Sequence, residues 1–120
     1  MPRRGDRVAP PARPGQWQLR FADGSAGDGW EKLCANIPTA AAACWDALVA
    51  DPMAYSDRQK QLRGEFANRT MGGVDLPQWQ FEVTGKGRVW YCPDLERRVV
   101  WLTDVTIGHP SRTDRRKRAG

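Results

Sequence analysis

The chain has 120 residues and a formal charge of +5, with 19 Lys and Arg against 14 Asp and Glu. That length supports a single core and no second one, while six Trp, three Phe and two Tyr exclude a chain that is disordered throughout. No apolar run reaches the ~18 residues of a membrane span, and no apolar segment follows the basic N-terminus, so neither a span nor a secretory leader is expected.

The charge is unevenly placed. Residues 1–15 hold four Arg and one Asp (+3), and residues 111–120 hold four Arg, one Lys and one Asp (+4). Between them, 16–57 carries two bases and six acids (−4), while 58–110 carries eight bases and six acids (+2). The second half of the body is therefore its cationic half. Basic ends raise affinity for polyanions in general.

In chain order, residues 1–15 contain Pro, Gly and Arg and predict a disordered basic tail; 16–110 predicts one domain, and 111–120 a basic C-terminal tail. Gln16–Phe21 alternates Trp17, Leu19 and Phe21 with polar residues and predicts a first strand. Asp23–Gly29 predicts a loop. Trp30, Leu33, Cys34 and Ile37 then follow a helical period. Pro38 suits the first turn of a second helix, whose apolar face is Ala41, Cys44, Trp45, Leu48 and Val49, and Pro52 follows its end. The two helices form a hairpin that needs a sheet to cover.

Gln61–Phe66 reads as a short strand or an extended lead-in, and Asn68–Asp75, with Gly72-Gly73, as a loop. Gln78–Thr84 alternates Trp79, Phe81 and Val83 with Gln78, Gln80 and Glu82. Gly85-Lys86-Gly87 predicts a turn using glycine at positive φ. Arg88–Cys92 returns, and Val99–Ile107 closes the sheet; its Val99-Val100-Trp101-Leu102 run, apolar on both faces, suits a covered or central strand. The expected class is α+β, a small antiparallel sheet with an N-terminal strand and a helical hairpin on one face.

Cys34, Cys44 and Cys92 lack metal-ligand spacing and are expected to be buried free thiols in a reducing, cytoplasmic setting. With a single histidine and scattered carboxylates, neither metal nor cofactor is expected.

Three short motifs lie in order along the cationic half: Leu62-Arg63-Gly64, Gly87-Arg88-Val89-Trp90-Tyr91 and Gly108-His109-Pro110. Together with the strand and helical hairpin before them, they resemble the RelE/ParE superfamily of bacterial toxins, and most of all its actinobacterial members, over about residues 17–113. The resemblance implies a sheet with a helical hairpin on one side and an RNA-facing concavity on the other. It also implies a cognate antitoxin protein as partner, and one of two activities. RelE-like members cleave mRNA, commonly on the ribosome; ParE-like members poison DNA gyrase without nuclease activity. A plain binding module is the remaining reading.

Metal-free RNA cleavage needs a base for the 2′-OH, cations around the phosphorane-like transition state and an acid for the 5′-oxygen. Arg88 matches the arginine of the family's R-x-x-Y-type strand and is the first candidate for a phosphate clamp. His109, the single histidine, has an unperturbed pKa of ~6.5 suited to proton transfer, and a C-terminal His or Tyr does this work in several relatives. Tyr91 is a candidate through its phenol or by stacking a base; of Trp90 and Tyr91 one faces the helices, and the sequence leaves open which. Glu82 is a candidate general base. Lys60, Arg63, Lys86 and Arg112 are candidate RNA contacts, with Arg63 at the family's L-[RK]-G position. One departure stands out: well-studied RelE members carry two lysines on the strand before this hairpin, and Trp79–Val83 has none.

Overall fold

The computed structural model describes residues 2–8 and 11–108. Its elements run β1 (Gln18–Phe21), α1 (Gly24–Asn36), α2 (Pro38–Ala50), β2 (Gln59–Gln61), a 3₁₀ turn (Gly64–Phe66), β3 (Asn68–Met71), β4 (Val74–Pro77), β5 (Trp79–Glu82), β6 (Arg88–Asp94) and β7 (Val99–Thr106). The class is α+β. A five-stranded sheet has the order β1-β7-β6-β5-β2, and β3 and β4 form a separate hairpin.

The sheet is mixed, not wholly antiparallel: β1 runs parallel to β7, with Gln18 opposite Val99 and Phe21 opposite Leu102. β7 is the strand with apolar residues on both faces, and it takes an inner position between β1 and β6. α1 packs on β7, and both helices contact β1. The core between helices and sheet includes Leu19, Leu33, Cys44, Leu48, Val89, Tyr91, Val100 and Leu102, all at most 2% exposed. Burying a Leu of this kind is worth about 2–3 kcal/mol.

α1 begins at Gly24, inside the segment expected to be a loop. Asp23 supplies the cap: its Oδ1 accepts from the Ala26 amide at 2.9 Å. The glycine-rich GSAGDG start argues against a helix on propensity, at roughly 1 kcal/mol per Gly. Close packing explains it. A Cβ on Gly29 would lie 2.3 Å from the Val105 carbonyl oxygen, so a larger residue would push α1 off β7.

Residues 68–77, expected to contain a loop over Asn68–Asp75, form the β3–β4 hairpin. Gly72 and Gly73 both take positive φ (58° and 84°), as a tight two-residue hairpin turn requires. The Gly85-Lys86-Gly87 turn differs from expectation as well, because neither of its glycines has positive φ. It is held by the Thr84 hydroxyl, which accepts from the Gly87 and Lys86 amides at 2.8 and 3.3 Å. Among the described residues, Arg98, in the β6–β7 turn, is the one non-glycine residue at positive φ (57°). Its guanidinium stacks on Trp17 at 4.7 Å and donates to the Gly15 carbonyl at 3.0 Å.

Part of the segment expected to be a disordered tail joins the fold. Val8 is 2% exposed, and residues 5–8 lie along the outer edge of β1. Val8 N donates to Leu19 O at 2.9 Å, Gly5 N to Phe21 O at 2.8 Å, and Phe21 N to Asp6 O at 3.0 Å. The cause is that β1 is an edge strand whose outer backbone groups need partners. Cys44 and Cys92 are free and buried, as expected, whereas Cys34 is free but exposed on α1. Among the described residues, no helix is long and apolar enough to cross a membrane.

Candidate nucleic-acid interface

Opposed residues on neighbouring strands share a face. One face of the sheet carries Trp79, Phe81, Val89, Tyr91, Val105 and Leu102, all buried in the core with the helices. The opposite face carries two rows. Lys60, Gln80, Trp90 and Asp104 form the first, from β2 across to β7, and Glu82, Arg88 and Thr106 form the second.

The structure resolves the Trp90/Tyr91 alternative and corrects one candidate. Tyr91 is fully buried on the helix side. Its hydroxyl donates to the Pro52 carbonyl at 2.7 Å and accepts from Gln59 Nε2 at 3.3 Å. Burial pushes its pKa well above the ordinary tyrosine value, against the opposing effect of the Gln59 hydrogen bond. Tyr91 therefore fastens the α2–β2 connection, and it can neither reach an RNA phosphate nor stack a base. A residue that starts β6 facing outward at Arg88 puts Val89 and Tyr91 inward and Trp90 outward by simple alternation.

Arg88 is half-buried. Its Nη1 donates to the carbonyls of Thr84, Gly85 and Gly87 at 3.1–3.2 Å, which fixes the guanidinium at the β5–β6 turn. Among the described residues, Nε and Nη2 have no partner. Glu82 lies directly opposite Arg88 on β5, and its carboxylate makes no ion pair or hydrogen bond among the described residues. An anchored cation and an unneutralised carboxylate thus stand side by side on one face. Lys86 is exposed in the turn beside them. Lys60 is exposed at the other end of the first row, and Arg63 is exposed just beyond β2. The structure brings Arg88, Glu82 and Lys86 together; Lys60 lies one row away from Glu82 on the neighbouring β2, and Arg63 lies past the end of that strand. His109 and Arg112 lie outside the described residues; Gly108, the last of these, packs closely on Lys86 and Gly87.

Three features escape the sequence reading. Arg58 donates through Nη1 to the Glu82 and Val83 carbonyls at 3.0 and 3.1 Å, so two arginines brace the end of β5. Trp90 is held outward by a bond from its Nε1 to Gln80 Oε1 at 2.9 Å. Phe66, 47% exposed, sets its ring over Trp90 with centroids 5.1 Å apart. A buried relay holds Phe66 in place: Thr103 Oγ1 donates to Gln78 Oε1 at 2.7 Å, and Gln78 Nε2 donates to the Phe66 carbonyl at 3.0 Å. A lone aromatic between polar residues has no periodicity to reveal it, so Phe66 carried no signal. The β3–β4 hairpin packs against β6 on this face and buries Leu76.

Among the described residues, no group of three or more His, Cys, Asp or Glu side chains is placed to hold a metal ion. Compared with family models, curated proteins and solved structures, the chain matches none.

Proposed function

We propose that the chain is a toxin of the RelE/ParE kind that cleaves mRNA without a metal and is neutralised by an antitoxin protein. The observation that carries the reading is the part of the outer sheet face, around Arg88, that the β3–β4 hairpin leaves uncovered. With the helical hairpin on one side, the other presents Arg88 and Glu82 side by side, Nε and Nη2 of the one and the carboxylate of the other without a partner among the described residues, next to the exposed Lys86. In the proposed step, the Glu82 carboxylate takes the proton of a 2′-OH. The 2′-oxygen attacks the adjacent phosphorus, the bond to the 5′-oxygen breaks, and a 2′,3′-cyclic phosphate forms. Arg88 binds the non-bridging oxygens as negative charge accumulates there. His109 is the candidate acid for the departing 5′-oxygen. A carboxylate base and an arginine in this arrangement would take over from the two lysines that the Trp79–Val83 strand lacks.

Inducing the protein and mapping mRNA ends tests the proposal. Cleavage with cyclic-phosphate ends is expected, and it should be lost in Arg88→Ala, Glu82→Gln and His109→Ala. Unchanged cleavage in all three variants would refute the assignment of residues. The non-catalytic, gyrase-directed reading draws support from two observations: Arg88 Nη1 is already engaged by its own turn, and Tyr91 is withdrawn into the core. A DNA-damage response with intact RNA would select it.

A further inference from the structure

We infer that Phe66 and Trp90 form a stacking platform for a base of single-stranded RNA, beside the cleavage residues. The inference rests on the RNA reading proposed above and deepens it. A large aromatic in water is costly unless something covers it, and Phe66 remains 47% exposed although a buried relay fixes its backbone. Trp90 is equally fixed, by its bond to Gln80. With the Phe66 backbone and the Trp90 ring held, and the two rings in tilted contact at 53°, less freedom is left to lose on stacking a base.

The charges around the pair favour a base over the other occupants. Its row reads Lys60, Gln80, Trp90, Asp104, and the next reads Glu82, Arg88, Thr106. Glu65 lies beside Phe66. Cations and carboxylates alternate, so neither a duplex backbone nor an acidic peptide finds a continuous run of positive charge. A flat, neutral base does not need one. Its phosphate needs one cation, and Arg88 faces the same way as Trp90 two residues earlier on β6, ~6.8 Å along the strand. The platform would therefore hold a nucleotide next to the Arg88–Glu82 pair and select unpaired RNA.

The test is binding of a labelled hexaribonucleotide, single-stranded or annealed to its complement, to the full chain. Phe66→Ala is expected to weaken single-strand binding roughly tenfold, to leave the weak duplex binding unchanged, and to be rescued by Phe66→Tyr. The Gln78 bond reaches the Phe66 backbone carbonyl, so the alanine variant keeps it, and thermal melts verify folding. Replacing one nucleotide of the hexamer with an abasic site should reproduce the loss. If Phe66→Ala binds as wild type while Arg88→Ala does not, the platform is refuted and the RNA reading survives. If the wild type binds no RNA, both fail. If Phe66→Ala impairs only capture of an acidic peptide, the face is a protein-docking surface and the inference is overturned.

Discussion

At the scale of single residues, Arg88 and Tyr91 stand on opposite faces of the sheet, although they lie three positions apart on one strand. Arg88 combines an anchored Nη1 with an Nε and Nη2 that have no partner among the described residues. Lysine has no planar fork with which to grip a turn and a phosphate at once. Arg88→Lys should thus lose most activity, on the order of 10²-fold, while the melting temperature moves by only a few degrees; RNA end-mapping and a thermal melt check the pair. Tyr91 predicts the opposite pattern. Tyr91→Phe removes the bond to the Pro52 carbonyl and leaves that oxygen unpaired, at about 1–2 kcal/mol. Urea denaturation should show the loss, and RNA cleavage by the folded protein should persist. If Tyr91→Phe were inactive yet fully stable, the buried-anchor account would be wrong.

At the scale of elements, legibility followed periodicity. The alternation of β1 and β5 and the Ala41–Val49 stripe of α2 were readable because each buries one face of a regular element, and the Val99–Leu102 run of β7 because that stretch is largely covered on both faces. The start of α1 was hidden because Gly27 and Gly29 mark close approaches, to Pro2 and to Val105 of β7, which only the three-dimensional packing shows. β3 and β4 were hidden because Leu76 is their one buried side chain, so neither strand carries an alternating signal. In the candidate site, Glu82 and Arg88 were readable as neighbours of a turn, whereas Phe66 reaches Trp90 only through the fold of the Gly64–Phe66 segment. The α1 account makes its own prediction. Gly29→Ala should raise helix propensity by roughly 1 kcal/mol. The 2.3 Å approach to a backbone oxygen should outweigh this gain, for a net loss of about 1–3 kcal/mol in chemical denaturation.

At the scale of the whole molecule, three buried acids set an alkaline limit. Burial pushes Cys92 up to about 12 and moves Cys44 and Tyr91 upward as well. All three are neutral in the fold and ionise more readily in the unfolded chain. Their contribution to stability is complete below the ordinary thiol value of 9.0 and is lost as pH rises towards about 12. The melting temperature should fall across that window, and Cys92→Ala should flatten the slope. The short ribbon at residues 5–8 has a different consequence. While it occupies the outer side of β1, that strand has no free row of donors and acceptors to offer a neighbour. A chain cut back to residue 9 would expose the row and gain a template for fibril growth or strand exchange. Earlier elution in gel filtration and thioflavin binding, absent from the full-length protein at the same concentration, would reveal the ribbon as a guard against polymerisation.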